Sequence, residues 1–311
     1  MFRWTGRVGY LRESSMEKQA GYYHRRGFPG VSSMRDSIDL GGYLRRIGLL
    51  SAESPDLQTL RALVAAHAAT IPFENLNPFL GLPVDLELAA VERKLVQDGR
   101  GGYCFEQNLL LGEALRAIGF EVTNLAARVL WNQPADAITA RSHMLLRVEL
   151  EDRSWLVDVG FGGMTLTGVL QLEQRLEQVT PHEPFRLLEC DGDWYMQARL
   201  PAGWKTLYRF DLQQQYPIDY LASNYFLSTH PDSHFVTGLT AARAEPGRRL
   251  ALRNREFALH TANGETTRRM LRSATEIREV LENDFLIRLP PHPELDRRLD
   301  SLPAVEADAT L

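Results

Sequence analysis

The sequence predicts an α+β fold: helices first, then an antiparallel sheet, then a smaller mixed part. Before about Phe120, apolar residues recur at helical spacing between cap and stop signals. From Glu121 the pattern changes to short runs rich in β-branched and aromatic residues. After about residue 230, strand and helix signals alternate.

Residues 1–34 carry scattered arginines and glycines without periodicity, and no apolar run suited to a secretory signal. They are expected to be a disordered extension without a fold role, with Met34 as an alternative start. Within residues 35–120, Ser54-Pro55-Asp56 reads as an N-cap, a first-turn proline and a first-turn acid, followed by Leu57, Leu60, Leu63 and Val64. A second helix is expected from about Leu86 to Gln97, ended by Asp98-Gly99. A third is opened by Cys104 and stopped by Gly119.

Residues 121–230 form the predicted sheet or barrel. Its strands are Val122 to Trp131, Ser142 to Leu150 and Ser154 to Phe161, with further pieces near Phe185 to Leu188, Trp194 to Arg199 and Lys205 to Phe210. In residues 231–311, Val236 to Arg243 and Arg248 to Leu259 read as strands and Asn263-Gly264 as a hairpin turn. Thr275 to Glu282 reads as a helix, and the proline-rich, charged tail after Leu289 is expected to fray.

Composition narrows the function classes. A chain of 311 residues with 44% hydrophobic and 24% charged residues is ordinary for a soluble globular protein. A net charge of -5 gives no support to a nucleic-acid partner. No apolar run approaches the roughly 20 residues that span a bilayer, so a soluble, cytoplasmic protein without a membrane partner is expected. The two cysteines, Cys104 and Cys190, rule out a disulfide framework and a four-cysteine zinc site, and no metal is expected. Cys190 reads as a small buried hydrophobe ahead of a turn.

Cys104 has a different setting. In Arg100-Gly101-Gly102-Tyr103-Cys104-Phe105-Glu106-Gln107-Asn108 the glycine pair permits a tight bend and close approach, and the cysteine falls at a helix N-terminus. Unpaired N–H groups and the helix dipole stabilise an anion there, and a thiolate is such an anion. The same N–H groups could stabilise an oxyanion.

A base and an orienting acid can be sought in the next hairpin. If Leu150 faces Arg153 across Glu151-Asp152, Leu145 faces Asp158 and His143 faces Gly160. Alternation then puts Met144, Leu146, Val148 and Leu150 on one apolar face with Trp155, Val157 and Val159. His143 and Asp158 fall together on the other, polar face as diagonal neighbours, with Arg147 and Arg128 as competing partners for the carboxylate. A carboxylate on one ring nitrogen would aim the other at a thiol.

These residues resemble the motifs of the arylamine N-acetyltransferase family. The segment around Cys104 is similar to its nucleophile motif and Ile71-Pro72-Phe73-Glu74-Asn75-Leu76 to its upstream signature. Ser142-His143-Met144 and Asp158-Val159-Gly160-Phe161-Gly162-Gly163 resemble its base and acid motifs, and Ser223 to Pro231 a later segment; Met164-Thr165-Leu166-Thr167-Gly168 departs from the pattern. The resemblance implies a helical N-terminal domain, an antiparallel β-barrel domain and an α/β lid around a cysteine-protease-like core. It implies Cys104, His143 and Asp158 as a catalytic triad, and acetyl-CoA as acyl donor in a ping-pong reaction. The acceptor would be a small aromatic amine or hydrazine, as in xenobiotic metabolism. Ser142, Gly162 and Phe226 would approach CoA, and Phe73 and Phe161 the acceptor. A monomer or homodimer is expected.

Three other readings fit the bare constellation. One is a cysteine hydrolase, such as a protease or amidase. Another is an amide synthase drawing on a carrier-bound acyl chain. The third is a binding module with a decayed site, against which the intact triad argues.

Overall fold

The computed structural model describes residues 37–303 except positions 53, 135 and 263. The expectations for residues 1–34 and for Asn263 therefore lie outside the described residues.

The helical part is set by its caps. Helix α1 (Leu40–Ile47) starts after Asp39, whose carboxylate accepts from the Gly42 N–H. Helix α2 (Leu57–Thr70) starts later than the sequence suggests, because Asp56 and not Ser54 is the N-cap. Its backbone is extended, its carboxylate accepts from the Thr59 N–H at 2.7 Å, and Ser54 donates to its other oxygen at 2.7 Å. An ionised acceptor at this end also meets the positive pole of the helix.

Strand β1 (Phe73–Glu74), the single turn α3 (Leu76–Phe79) and α4 (Leu88–Glu92) follow. The expected helix to Gln97 is not regular. It widens into a π-helical turn over Arg93–Gln97, with the Asp98 N–H bonded five residues back to the Arg93 carbonyl. Helix α5 (Cys104–Ile118) opens on the cysteine and ends at Gly119, whose φ of 108° is left-handed.

Strands β2 (Glu121–Val129), β3 (Arg141–Leu150), β4 (Arg153–Val157), β5 (Leu170–Gln171), β6 (Phe185–Cys190), β7 (Asp193–Leu200) and β8 (Gly203–Phe210) form an antiparallel sheet ordered β5-β4-β3-β2-β8-β7-β6. Residues 171–178 nearly close it into a barrel. Gln174 bridges Leu187, Gln178 bridges Phe185, and the Gln178 side chain bonds both backbone polar groups of Gln171. Cys190 is exposed at the end of β6 rather than buried as expected, because the left-handed Asp191-Gly192 turn holds it at a hairpin tip.

Helix α6 (Pro217–Thr229) was not foreseen, although Pro217 at its first position and Asp219 bonded back to the Tyr216 N–H are helix-start signals. Two expected strands after it are revised. The start of Val236 to Arg243 is the helical turn α7 (His234–Thr237), capped by Ser233, and β9 (Thr240–Glu245) begins only after Gly238. Arg248 to Leu259 folds back on itself as β10 (Arg248–Arg253) and β11 (Glu256–Thr261), because Asn254 takes a left-handed φ of 53°. With β12 (Thr266–Met270) these make a second sheet, ordered β1-β9-β10-β11-β12. Helix α8 (Ala274–Asn283) is as expected. The tail up to residue 303 packs instead of fraying: α9 (Leu295–Asp300) and Leu302 put buried leucines against Phe79, Ile277 and Leu281.

The site is positioned by strand β3. One of its faces packs Met144, Leu146 and Val148 against α5, and the other turns Leu145 into the barrel. The helix that starts with Cys104 therefore lies along one side of the strand that carries His143.

Candidate active site

The β3–β4 register is the expected one. Leu150 faces Arg153 and the pairing runs to Leu146 opposite Val157, with Glu151 and Asp152 both left-handed in the turn. Two details differ. Strand β4 ends at Val157, so Asp158 lies just beyond the ladder. The face carrying His143 and Asp158 is also no polar surface: both are buried, with Leu145 and Leu156 of the barrel core beside them. A buried carboxylate needs partners to remain ionised, and it has several.

His143 Nε2 lies 2.7 Å from Asp158 Oδ2. The hydroxyl of Tyr208 on β8 donates to that same oxygen at 3.0 Å. Oδ1 accepts from Asn108 Nδ2 at 3.0 Å and from the Gly160 N–H at 2.9 Å. Arg147 lies instead beside Glu149, and Arg128 donates to the Thr139 carbonyl. Burial pushes the Asp158 carboxyl up, but His143 and the donors prevail and hold it below its ordinary value. Burial likewise pushes His143 down. The Asp158 charge and the Cys104 side chain outweigh it and raise the imidazole to about 10. His143 is therefore a cation at neutral pH. With Nε2 given to Asp158, its interaction with Cys104 falls to Nδ1.

Cys104 is 4% exposed at the first position of α5, its thiol 3.6 Å from the Ser142 carbonyl. Two glycines make this meeting possible. A Cβ on Gly160 would lie 2.7 Å from Cys104 Cα and 2.7 Å from Asn108 Nδ2, and one on Gly101 only 2.0 Å from the Pro72 carbonyl oxygen. Gly101 and Gly102 thus serve close approach and not a left-handed bend, since neither has a positive φ. Beneath the loop, Glu74 and Arg100 form a buried pair at 2.7 Å, and Glu106 accepts from the Tyr103 N–H and from Lys94.

The site opens into a cavity of about 1350 Å³ between the barrel and the second sheet. Cys104, Ser142, His143, Gly162, Phe73 and Phe161 all line it. The Phe161 ring stands edge-on to His143 with centroids 5.0 Å apart. Phe226 does not line the cavity; it is exposed and stacks on His230.

Sequence reasoning missed Tyr208, because only barrel closure brings β8 to Asp158. Asn108 lies in the nucleophile motif with no role legible from spacing, and Phe235, which lines the cavity beside Phe73, gives no signal in the sequence. Thr165 accepts from the Phe161 N–H at 3.1 Å and donates to the Asp158 carbonyl at 3.3 Å.

A family profile described as N-acetyltransferase matches residues 56–293. The chain belongs to the arylamine N-acetyltransferase family. It is 46% identical over 257 residues to the arylamine N-acetyltransferase of Mycolicibacterium smegmatis, covering 81% of this chain and 93% of that one. It is 42% identical over 280 residues to that of Mycobacterium tuberculosis strain H37Rv, covering 88% and 99%. Among solved structures, that of the Mycobacterium marinum arylamine N-acetyltransferase in complex with CoA superposes with a TM-score of 0.82 at 41% identity, covering 85% of this chain and 99% of that one. That of the M. tuberculosis arylamine N-acetyltransferase gives 0.81 at 42% identity, covering 84% and 100%. Among the described residues no cluster of side chains suits a metal ion, and no helix is long and apolar enough to cross a membrane.

Proposed function

We propose that this arylamine N-acetyltransferase family member moves an acetyl group from acetyl-CoA to an aromatic amine or hydrazine through an acetyl-Cys104 intermediate. The observation that carries this reading is the meeting of Cys104, His143 and Asp158, the first two of which line a cavity large enough for a pantetheine arm and an aromatic acceptor. The relatives are named arylamine N-acetyltransferases, and one of the matching structures holds CoA.

In the first half-reaction the Cys104 thiolate attacks the thioester carbonyl. In this reading backbone N–H groups at the start of α5 stabilise the developing oxyanion, and His143 gives its proton to the departing CoA sulfur. In the second, the acceptor nitrogen attacks acetyl-Cys104, His143 takes its proton, and the thiolate leaves. Asp158 stays ionised throughout and fixes the tautomer and aim of His143. Phe73 and Phe161 offer the acceptor ring two apolar walls. Ser142 and Gly162 lie where the pantetheine arm would run, and Phe226 would be met only by parts of CoA that extend beyond the cavity. The same reading takes the parts bounded near residues 120 and 230 as nucleophile domain, base-bearing barrel and lid. It takes the protein as a cytoplasmic monomer or homodimer acting on foreign aromatic amines.

Intact-mass spectrometry after mixing with acetyl-CoA tests the proposal. We expect a gain of about 42 Da, one acetyl group, at Cys104, which an arylhydrazine then discharges. No adduct with any of several acyl-CoA donors would refute it, and equal CoA release with and without acceptor would favour a hydrolase.

A further inference from the structure

Two consecutive amides near the start of α5, Gln107 and Asn108, hold opposite flanks of Cys104. Asn108 grips the base side, donating to the Met144 carbonyl at 2.7 Å and to Asp158, and accepting from the Val159 N–H at 3.1 Å. Gln107 points the other way and is fully buried. Its Nε2 donates to the Pro72 carbonyl at 2.7 Å and the Gly102 carbonyl at 3.2 Å. Gly102 lies two residues before the cysteine. Its carbonyl also accepts from the Glu74 N–H at 3.1 Å, and its own N–H reaches the Pro72 carbonyl at 3.3 Å. The Gln107 amide therefore clamps the backbone bridge on which the nucleophile loop rests.

The far end of this amide is fixed by a histidine that the proposed chemistry does not use. Gln107 Oε1 lies 2.7 Å from His67 Nε2, and His67 Nδ1 lies 3.0 Å from the Tyr43 hydroxyl. An amide oxygen can only accept, so Nε2 carries the proton and Nδ1 accepts from Tyr43. Turning the amide over would set its oxygen against the Ile71, Pro72 and Gly102 carbonyls, so one arrangement satisfies every group. Burial lowers the His67 pKa to about 4, which keeps this donor chain unchanged at neutral pH.

We infer that Gln107 is a positioning residue for the Cys104 nucleophile, and that His67 with Tyr43 fixes the direction of its amide. The inference takes the identity of the nucleophile from the acetyl-transfer reading above. Tilting the Gly102 peptide swings the chain entering α5 and moves the sulfur relative to Nδ1 of His143 and to the acyl carbonyl. A misplacement of about 1 Å costs up to ~100-fold in rate.

The test uses Gln107→Leu and His67→Phe in a Cys190→Ser background, which leaves Cys104 as the single thiol. Two quantities are measured well below each variant's unfolding midpoint: the rate of Cys104 alkylation by iodoacetamide, and kcat and KM for acetyl-CoA with an arylhydrazine acceptor. For Gln107→Leu we expect alkylation and kcat to fall about 10-fold with KM changed less than about twofold; for His67→Phe the fall is about threefold. A group that only holds the fold together would lower the midpoint and leave these rates alone. Rates within twofold of the parent in a folded variant would overturn the inference, and so would failure of both variants to fold. Alkylation needs no acyl donor. Absence of acetyl labelling in the wild type would therefore strike the reaction and leave the positioning readable, whereas normal labelling with unaltered alkylation would strike the positioning alone.

Discussion

Cys104 and Cys190 are the same side chain in opposite surroundings. Cys190 is exposed at a hairpin tip, where Asp191 first, and Glu189 and Asp193 more weakly, push its thiol above the ordinary range. Cys104 is buried at a helix N-terminus beside a cationic imidazole. What distinguishes the two is the company each keeps: three carboxylates surround Cys190, whereas Cys104 sits beside His143 at the start of a helix.

The largest expected effect separates the two cysteines outright. Cys104→Ala should abolish acetyl transfer while the protein still folds, and Cys190→Ser should leave turnover within about twofold, since an exposed tip touches nothing that the reaction uses. A steady-state assay with circular dichroism checks both, and an active Cys104→Ala variant would end the assignment.

Removing the source of the imidazolium comes next. Asp158→Asn should lower kcat by about 10³–10⁴-fold, because an amide no longer holds the charge or the tautomer of His143. Tyr208→Phe removes one donor to Asp158 and leaves the others, so about a 10-fold loss in kcat is expected. Equal losses in the two variants would show that the phenol, and not the carboxylate charge, governs the base.

The smallest effect is on pH. Alkylation of Cys190 should accelerate only at higher pH than for an ordinary thiol, and Asp191→Asn should move that rise downward. The ratio of the Cys104 rate to the Cys190 rate should therefore fall as pH rises, because it is the exposed thiol that gains thiolate there. A ratio of the two alkylation rates that is flat with pH would mean that His143 does not charge the thiol's surroundings.

Where residues close to one another in the chain decide the structure, the sequence was readable. The β3–β4 register followed from alternation and a two-residue turn, and the α5 boundaries from Cys104 and Gly119. The errors lie where local signals compete. Ser54 and Asp56 both suit an N-cap, and the backbone conformation chose Asp56. The run from Arg248 to Leu259 has no turn glycine, yet Asn254 supplies the left-handed residue. The tail after Leu289 carries proline and charge, but its leucines find a core under the second sheet.

The sequence by itself determined the helix that presents Cys104, the hairpin that puts His143 and Asp158 on one face, and the family motifs around them, because each depends on spacing along a single element. Only the tertiary structure decided that this face is buried, that Tyr208 arrives from β8 to share Asp158, and that His67 and Gln107 brace the loop before Cys104. These contacts join residues 35 to 50 positions apart, and no local periodicity encodes which distant donor will complete a buried carboxylate or amide.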